Sequence, residues 1–291
     1  MINYSHFQRN KSLKSLSTFG IGGEAKYFIE VADISLMESV VRFCRENSLD
    51  FIVIGKGSNS LFNDRGFDGV VILNKISFCH RSGFDVEVGA GYSFSLLGVQ
   101  TARDGLSGLE FACGIPASVG GAIYMNAGAN GQETKDSLVE VCFIDASGQR
   151  KVGNKDQLEF SYRFSSFQKM RAVIVSAKFQ LAPLADARSK QLAIIEYRSA
   201  TQPYKDKSAG CVFRNPAGHS AGALIEKSGL KGFSLGGAAI SSVHANFIIN
   251  AEGATACDVM KLAKHVQNTV KEKMGIELEM EVRCIPYQMD K

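Results

Sequence analysis

The part of this chain best suited to chemistry is bare backbone. Gly55-Lys-Gly-Ser-Asn-Ser60 follows the apolar run Phe51-Ile-Val-Ile54. Its glycines let main chain come close to a ligand, and successive N–H groups can form an anion nest. The loop lacks the third glycine of G-x-G-x-x-G, so the dinucleotide fingerprint fails, and it does not fit G-x-x-x-x-G-K-[ST]. The competing reading is a tight turn between two strands. A second stretch, Gly114-Ile-Pro-Ala-Ser-Val-Gly-Gly-Ala-Ile-Tyr-Met-Asn-Ala-Gly128, joins glycines to small and apolar residues without charge. Backbone donors over an apolar floor suit a flat cofactor with a diphosphate. Close-packed core backbone selects the same residues.

Other chemistries are excluded more firmly. The seven cysteines are odd in number and scattered, with no C-x-x-C pair. That argues against a disulfide framework or a zinc ribbon and suits a reducing cytoplasm. His6, His80, His219, His244 and His265 show no ligand spacing, so no structural metal is expected. Lys+Arg exceed Asp+Glu by 33 − 29 = 4, too little for a nucleic-acid or polybasic membrane binder. The first residues have no apolar h-region, and no apolar run nears the ~18 residues that span a bilayer. With 45% apolar and 21% charged residues, the chain builds a packed core. At about 150 residues per domain, 291 residues make two domains, or one with an extension.

The elements that must position these loops follow from periodicity. Ile34, Met37, Val40, Val41 and Cys44 share one face of a helix over 34–47, capped by Asp33 or by Ser35 in a box with Glu38. Strands are expected at Phe51–Ile54, Val70–Leu73, 84–88, 139–143 and Ala172–Val175, and a helix from Ser93 to Asp104 that Gly105 stops. A polar helix over 184–200 opens a change of composition. Beyond it come a short helix near 222–229, a strand near 242–249 and a long helix that turns Val259, Leu262, Val266, Val270 and Met274 inward before Gly275. Alternation from Glu277 to Ile285 predicts a last strand. Mixing without regular βαβ order indicates α+β. The division falls near 183: residues 1–182 in two subdomains parting near 75, and residues 183–291.

Taken together, several segments resemble one family, the UDP-N-acetylenolpyruvoylglucosamine reductases (MurB). They are Thr18-Phe-Gly-Ile-Gly-Gly23, Gly55-Lys-Gly-Ser-Asn59, Gly105-Leu-Ser-Gly-Leu-Glu-Phe111, Gly114-Ile-Pro116, Gly120-Gly-Ala-Ile123, Met125-Asn-Ala-Gly128 and Tyr162-Arg163. Ser208-Ala-Gly-Cys-Val-Phe-Arg-Asn-Pro216, Leu224-Ile-Glu-Lys227, His244-Ala-Asn-Phe247 and Glu281-Val-Arg283 complete the series. The set runs in family order over nearly the whole chain. The short interval from Tyr162-Arg163 to Gly210-Cys-Val-Phe213 resembles the shorter (type II) subtype.

The resemblance implies FAD held by a two-subdomain fold of the vanillyl-alcohol-oxidase/p-cresol-methylhydroxylase (PCMH) type, with a C-terminal substrate-binding domain. It implies NADPH as co-substrate and UDP-N-acetylglucosamine enolpyruvate as substrate. The expected step is hydride from flavin N5 to C3 and a proton to C2, in peptidoglycan precursor synthesis by a cytoplasmic monomer. Arg163 would stabilise the enolate, since a guanidinium grips a carboxylate bidentately. Glu281 would share that task as a neutral acid. Cys211, where many members have Ser, would give the proton, because a thiol ionises near about 8.5 and an alcohol far higher.

For the cofactor the resemblance implies Gly55, Lys56, Gly57, Ser58, Asn59, Ser60, Leu61, Gly114, Ile115, Pro116, Ser118, Val119, Gly120, Gly121, Ala122, Met125, Asn126, Ala127, Arg198 and Arg283. For the substrate it implies Tyr162, Arg214, Asn215, His244 and Asn246. Two departures stand out. Thr201-Gln-Pro203 replaces a frequent Lys-Gln-Pro, so a cation for the nucleotide diphosphate must come from Lys205 or Lys207. Ala117 replaces a frequent Gly. Two other functions remain. One is a FAD oxidase tethering flavin through His80 or Cys113; the other is a flavin-free nucleotide-sugar binder.

Overall fold

The structure, a computed structural model, describes residues 2–289. The chain packs into two compact units that it visits in alternation. The first holds the chain up to Gln8, with Phe28–Lys56 and Val70–Arg198; the second holds Arg9–Tyr27, Gly57–Gly69 and the chain from Ser199 onward.

The first unit is built on a five-stranded antiparallel sheet. Its order is Arg150–Asn154, Leu138–Ile144, Val173–Gln180, Asp85–Gly89, Cys79–Ser82. Val86 and Val88 point into the core with Phe94, Phe111, Val119, Ile123, Val141 and Phe179, while Glu87 faces out. The strand expected from Phe84 starts at Asp85, and Phe84 is half exposed in the turn before it. Phe51–Ile54 pairs in parallel with Val70–Leu73. The helix Ile34–Glu46 buries Met37, Val40, Val41, Phe43 and Cys44, as its period requires. Asp33 caps it, accepting from Leu36 N at 2.7 Å; Ser35 lies inside the first turn. Burial pushes the Cys44 thiol up to about 12.

The glycine-rich stretch is more ordered than its composition suggests. It holds a 3-10 turn, Glu110–Gly114, and a short helix, Val119–Tyr124. Glycine is a poor helix former, which hides that helix from the sequence. Packing explains it: Gly120 N donates to Ala90 O at 2.8 Å, and a Cβ there would stand 3.0 Å from the Ala90 Cβ.

The second unit has a four-stranded antiparallel sheet, in the order Ser208–Cys211, Phe247–Asn250, Ala238–Ile240, Ser234–Leu235. The helix Ala256–Met274 buries Val259, Leu262, Val266 and Val270, and Gly275 ends it at φ 69°. It packs on the helix Ala221–Lys227 and on two strands of that sheet. Phe19, Leu61, Val212, Phe213 and Ile248 share its core.

Three expected elements differ. The polar helix spans Ala187–Thr201. The strand near 242–249 is only Phe247–Asn250, because Ser241 Oγ accepts from Val243 N and His244 N and bends the chain first. Of 277–285, only Arg283–Ile285 is a strand, in parallel with Ser60–Phe62. Leu278 and Val282 are buried there, so the alternation reflects an extended run along a core, without a ladder.

Gly57 and Gly83 form a matched pair, both at φ 62°. A Cβ on Gly57 would run into the Leu16 carbonyl oxygen, whereas none meets Gly83 within 4 Å. We expect Gly83→Ala to lose about 1–2 kcal/mol to the left-handed backbone alone. Gly57→Ala should lose clearly more, read by urea denaturation of both variants; equal losses would contradict the steric account.

Candidate functional site

In the first unit the short helix and the loop before it pack with almost no room. A Cβ on Gly55 would collide with the Ser118 hydroxyl, which caps that helix by accepting from Gly121 N at 3.2 Å. Val119 N and Gly120 N donate to Tyr92 O and Ala90 O, so these backbone donors are engaged within the chain. Val119 and Ala122 are core side chains, while Ile115, Pro116, Gly121, Met125 and Ala127 keep some exposure. Gly114 is bare because the Arg198 side chain lies across it; a Cβ would meet Arg198 Cδ and Nε.

Lys56 is held by a residue that no motif indicated. Its Nζ donates to Ser93 Oγ at 2.7 Å, and burial lowers its pKa. Ser93 is also the N-cap of the helix Phe94–Arg103, the only signal it carries in the sequence.

Among the described residues, no acceptor takes the backbone N–H of Lys56, Gly57, Ser58 or Asn59. Four consecutive donors without an acceptor, with Gly57 left-handed among them, are what an anion nest requires. That donor set fits a diphosphate. The loop is locked at its far end: Thr18 N donates to Gly57 O at 3.4 Å, and Asn59 O accepts from Arg283 N at 3.0 Å.

Tyr162 and Arg163 form the two-residue turn of a hairpin, Phe160–Ser161 with Phe164–Ser165. Arg163 is left-handed at φ 57°, worth about 1–3 kcal/mol of strain in a non-glycine residue. Its guanidinium lies 4.8 Å from the Tyr162 ring and donates to Gly128 O at 3.1 Å. Asn126, fully buried at φ 41°, donates to Ser161 O at 2.9 Å and to Glu133 Oε2 at 3.0 Å. Neither Glu133 nor Gln168, which bonds the Arg163 carbonyl, was marked by any sequence pattern.

The second unit brings Cys211 and Glu281 onto neighbouring segments. Glu281 N donates to Val212 O at 2.7 Å, and Asn59 Nδ2 donates to Glu281 O at 3.2 Å. Arg283 pairs in register with Ser60, while the Leu61 side chain is core. Cys211 follows a bulge at Gly210, left-handed at φ 77° with open space around it. A bulge re-aims the next side chain, here the thiol.

Asn246 braces this strand. It is buried, with Oδ1 accepting from Phe213 N at 3.0 Å and Nδ2 donating to Phe213 O at 2.8 Å. His244 Nδ1 accepts from Asn246 N, Asn215 Oδ1 accepts from Ala221 N, and Arg214 N donates to Glu279 O. The Lys207 side chain runs over Gly20, and Lys205 is exposed.

Arg163 belongs to the first unit, and Cys211 and Glu281 to the second. A shallow recess lined by Phe84, Ser107, Gly108 and Asp136 contains none of the expected site residues. Of the two residues considered for a covalent flavin link, His80 is exposed and stacks on Phe78. Cys113 is buried, donates to Gln191 O at 3.6 Å, and has its pKa raised by burial, which opposes a thiolate.

Backbone donors left unpaired at Lys56–Asn59 and, on neighbouring segments of the second unit, a thiol and a carboxyl group are groups that a nucleotide-cofactor oxidoreductase would use. An FAD binding domain model matches residues 25–153, so the chain carries a flavin-binding domain. The C-terminal domain model of UDP-N-acetylenolpyruvoylglucosamine reductase matches residues 202–285. The reductase of that name from Protochlamydia amoebophila is 56% identical, covering 98% of this chain and 96% of its own. That from Chlamydia muridarum is 49% identical, covering 97% and 95%. The crystal structure of the Thermus caldophilus reductase (MurB) superposes with TM-score 0.83 at 35% identity, over 96% of this chain and all of that one. The chain belongs to the UDP-N-acetylenolpyruvoylglucosamine reductase family.

The bracing of the Cys211 strand is open to test. Asn246→Ala removes both bonds to Phe213 and leaves two buried backbone groups unpaired. We expect a loss of about 2–4 kcal/mol in urea denaturation; a loss under about 0.5 kcal/mol would show that the bracket is not needed.

Proposed function

We propose that this chain reduces UDP-N-acetylglucosamine enolpyruvate to UDP-N-acetylmuramate with NADPH, through FAD, as a step of peptidoglycan precursor synthesis. Family membership supports this, and the nest at Lys56–Asn59 is the structural observation that carries it. The functional division is a flavin region over 1–182, in two subdomains parting near 75, and a substrate region over 183–291. The matched domain models fall one on each side of that division. No helix among the described residues is long and apolar enough to cross a membrane. We place the enzyme in the cytoplasm, as a monomer of the shorter subtype.

The chemistry that FAD supplies when bound is hydride exchange, from NADPH to N5 and from N5 to C3 of the enolpyruvyl group. The chain does the rest. The N–H groups of Lys56–Asn59 would hold the cofactor diphosphate. The exposed part of the Gly114–Ala127 backbone would line the cofactor, and Arg198 and Arg283 would supply positive charge to it. Arg163 holds the substrate carboxylate and the negative charge that reaches it when C3 gains hydride. Glu281 shares in that stabilisation. The Cys211 thiol donates its proton to C2 and is left as thiolate, which solvent reprotonates. Tyr162, Arg214, Asn215 and His244 line the substrate. Asn246, with both amide ends on Phe213, holds the strand that carries the thiol. Lys207, extended over Gly20, is the cation for the nucleotide diphosphate.

Cys211 gives the sharpest test. In anaerobic stopped-flow, Cys211→Ala should let NADPH bleach the flavin at the wild-type rate and abolish reoxidation by the enolpyruvyl substrate. Cys211→Ser should keep substantial turnover. Equal turnover in Cys211→Ala and wild type would remove Cys211 from this role.

A further inference from the structure

Arg163 occupies a backbone region that arginine rarely enters, φ 57°, in the exposed two-residue turn of a short hairpin. Two strands of two residues do not fix such a turn. Contacts from outside the hairpin must help, and the Gln168 side chain supplies one that reaches the strained residue's own carbonyl. Gln168 Nε2 donates to Arg163 O at 3.0 Å and to Tyr124 O at 2.9 Å. Tyr124 O also accepts from Ser165 Oγ at 2.8 Å. Between these two residues the Phe167 ring is buried edge-on to Phe143, with centroids 5.4 Å apart. The amide of Gln168 therefore stands on a rigid base and clamps the peptide following Arg163 to the end of the helix Val119–Tyr124. Asn126 secures Ser161 on the other strand but has no bond to Arg163.

We infer that Gln168 is a positioning residue for the reduction. It locks the main chain of Arg163 in its left-handed state, so that the guanidinium is already oriented when the enolpyruvyl carboxylate arrives. Rotation of that peptide toward ordinary backbone angles breaks the bond to Gln168 and swings the arginine side chain with it. Preorientation of a charged group acts on the step in which charge develops and leaves other steps alone. The inference rests on the role given to Arg163 above.

The test is the two anaerobic half-reactions of the holoenzyme in three variants. Arg163→Ala is the reference, Gln168→Leu removes both donors, and Gln168→Glu keeps the size but turns an acceptor toward two carbonyls. We expect Gln168→Leu and Gln168→Glu to slow flavin reoxidation by the enolpyruvyl substrate about tenfold or more. Flavin reduction by NADPH should stay within about twofold. Folding of either variant suffices for the comparison. If Arg163→Ala leaves reoxidation unchanged, the reading of the site itself fails. If Arg163→Ala slows reoxidation and the folded Gln168 variants do not, only the positioning role is overturned. A loss of thermal stability with both half-reactions slowed equally would likewise make Gln168 structural alone.

Discussion

Four backbone N–H groups in a row, from Lys56 to Asn59, find no acceptor within the described chain, and much of the surrounding structure keeps them that way. A loop this rich in donors would ordinarily curl into turns of its own or pair with a neighbouring strand. Here it is held open. Gly57 takes the left-handed conformation with its Cα hard against the Leu16 carbonyl, a position no other residue fits. Thr18 N fastens the Gly57 carbonyl, and Arg283 N fastens that of Asn59. Lys56 is tied to Ser93. The Gly57 and Asn59 carbonyls and the Lys56 side chain are thus given other tasks, and the four donors remain unpaired within the described residues.

The second unit uses the same device on a different scale. Val212 sits between the thiol-bearing Cys211 and the bracketed Phe213, and its carbonyl is the anchor for Glu281 N. The segment Cys211–Phe213 therefore fixes the backbone of both residues proposed for the chemistry. The bulge at Gly210 precedes the first, and Asn246 ties down Phe213 just beyond the strand's end. The strain at Arg163 belongs to the first unit and is borne by packing around Phe167, Tyr124 and Gln168 rather than by the hairpin itself.

Much of this was legible in the sequence where a local physical rule dominates. Helical periodicity located the helices at 34–46 and 256–274, and Gly275 marked the end of the second. The glycines of 55–60 pointed to this loop because a side chain on Gly55 or Gly57 would collide with Ser118 or with the Leu16 carbonyl. The short helix at Val119–Tyr124 was illegible, since Gly120 and Gly121 weaken helix propensity and the Ser118 cap and the close contact with Ala90 stabilise it. The run 277–282 read as a strand because burial on alternate sides looks the same with or without a ladder. Gln168 left no trace, and Ser93 showed only as the start of a helix, as side-chain bonds over 44 and 37 residues impose no spacing on the sequence. Asn126 was expected to touch the cofactor, yet its position also depends on a left-handed φ and on Glu133, which only the fold makes visible.

The central claim is that the donors of Lys56–Asn59 grip the phosphates of FAD. The most direct measurement is amide NMR of the isotope-labelled apoprotein, titrated in parallel with FAD and with riboflavin, which has the ring system but no phosphate. The account predicts large downfield shifts of these four amide protons with FAD and small ones with riboflavin. Amides that stay unmoved when FAD binds, or that move equally with riboflavin, would contradict it.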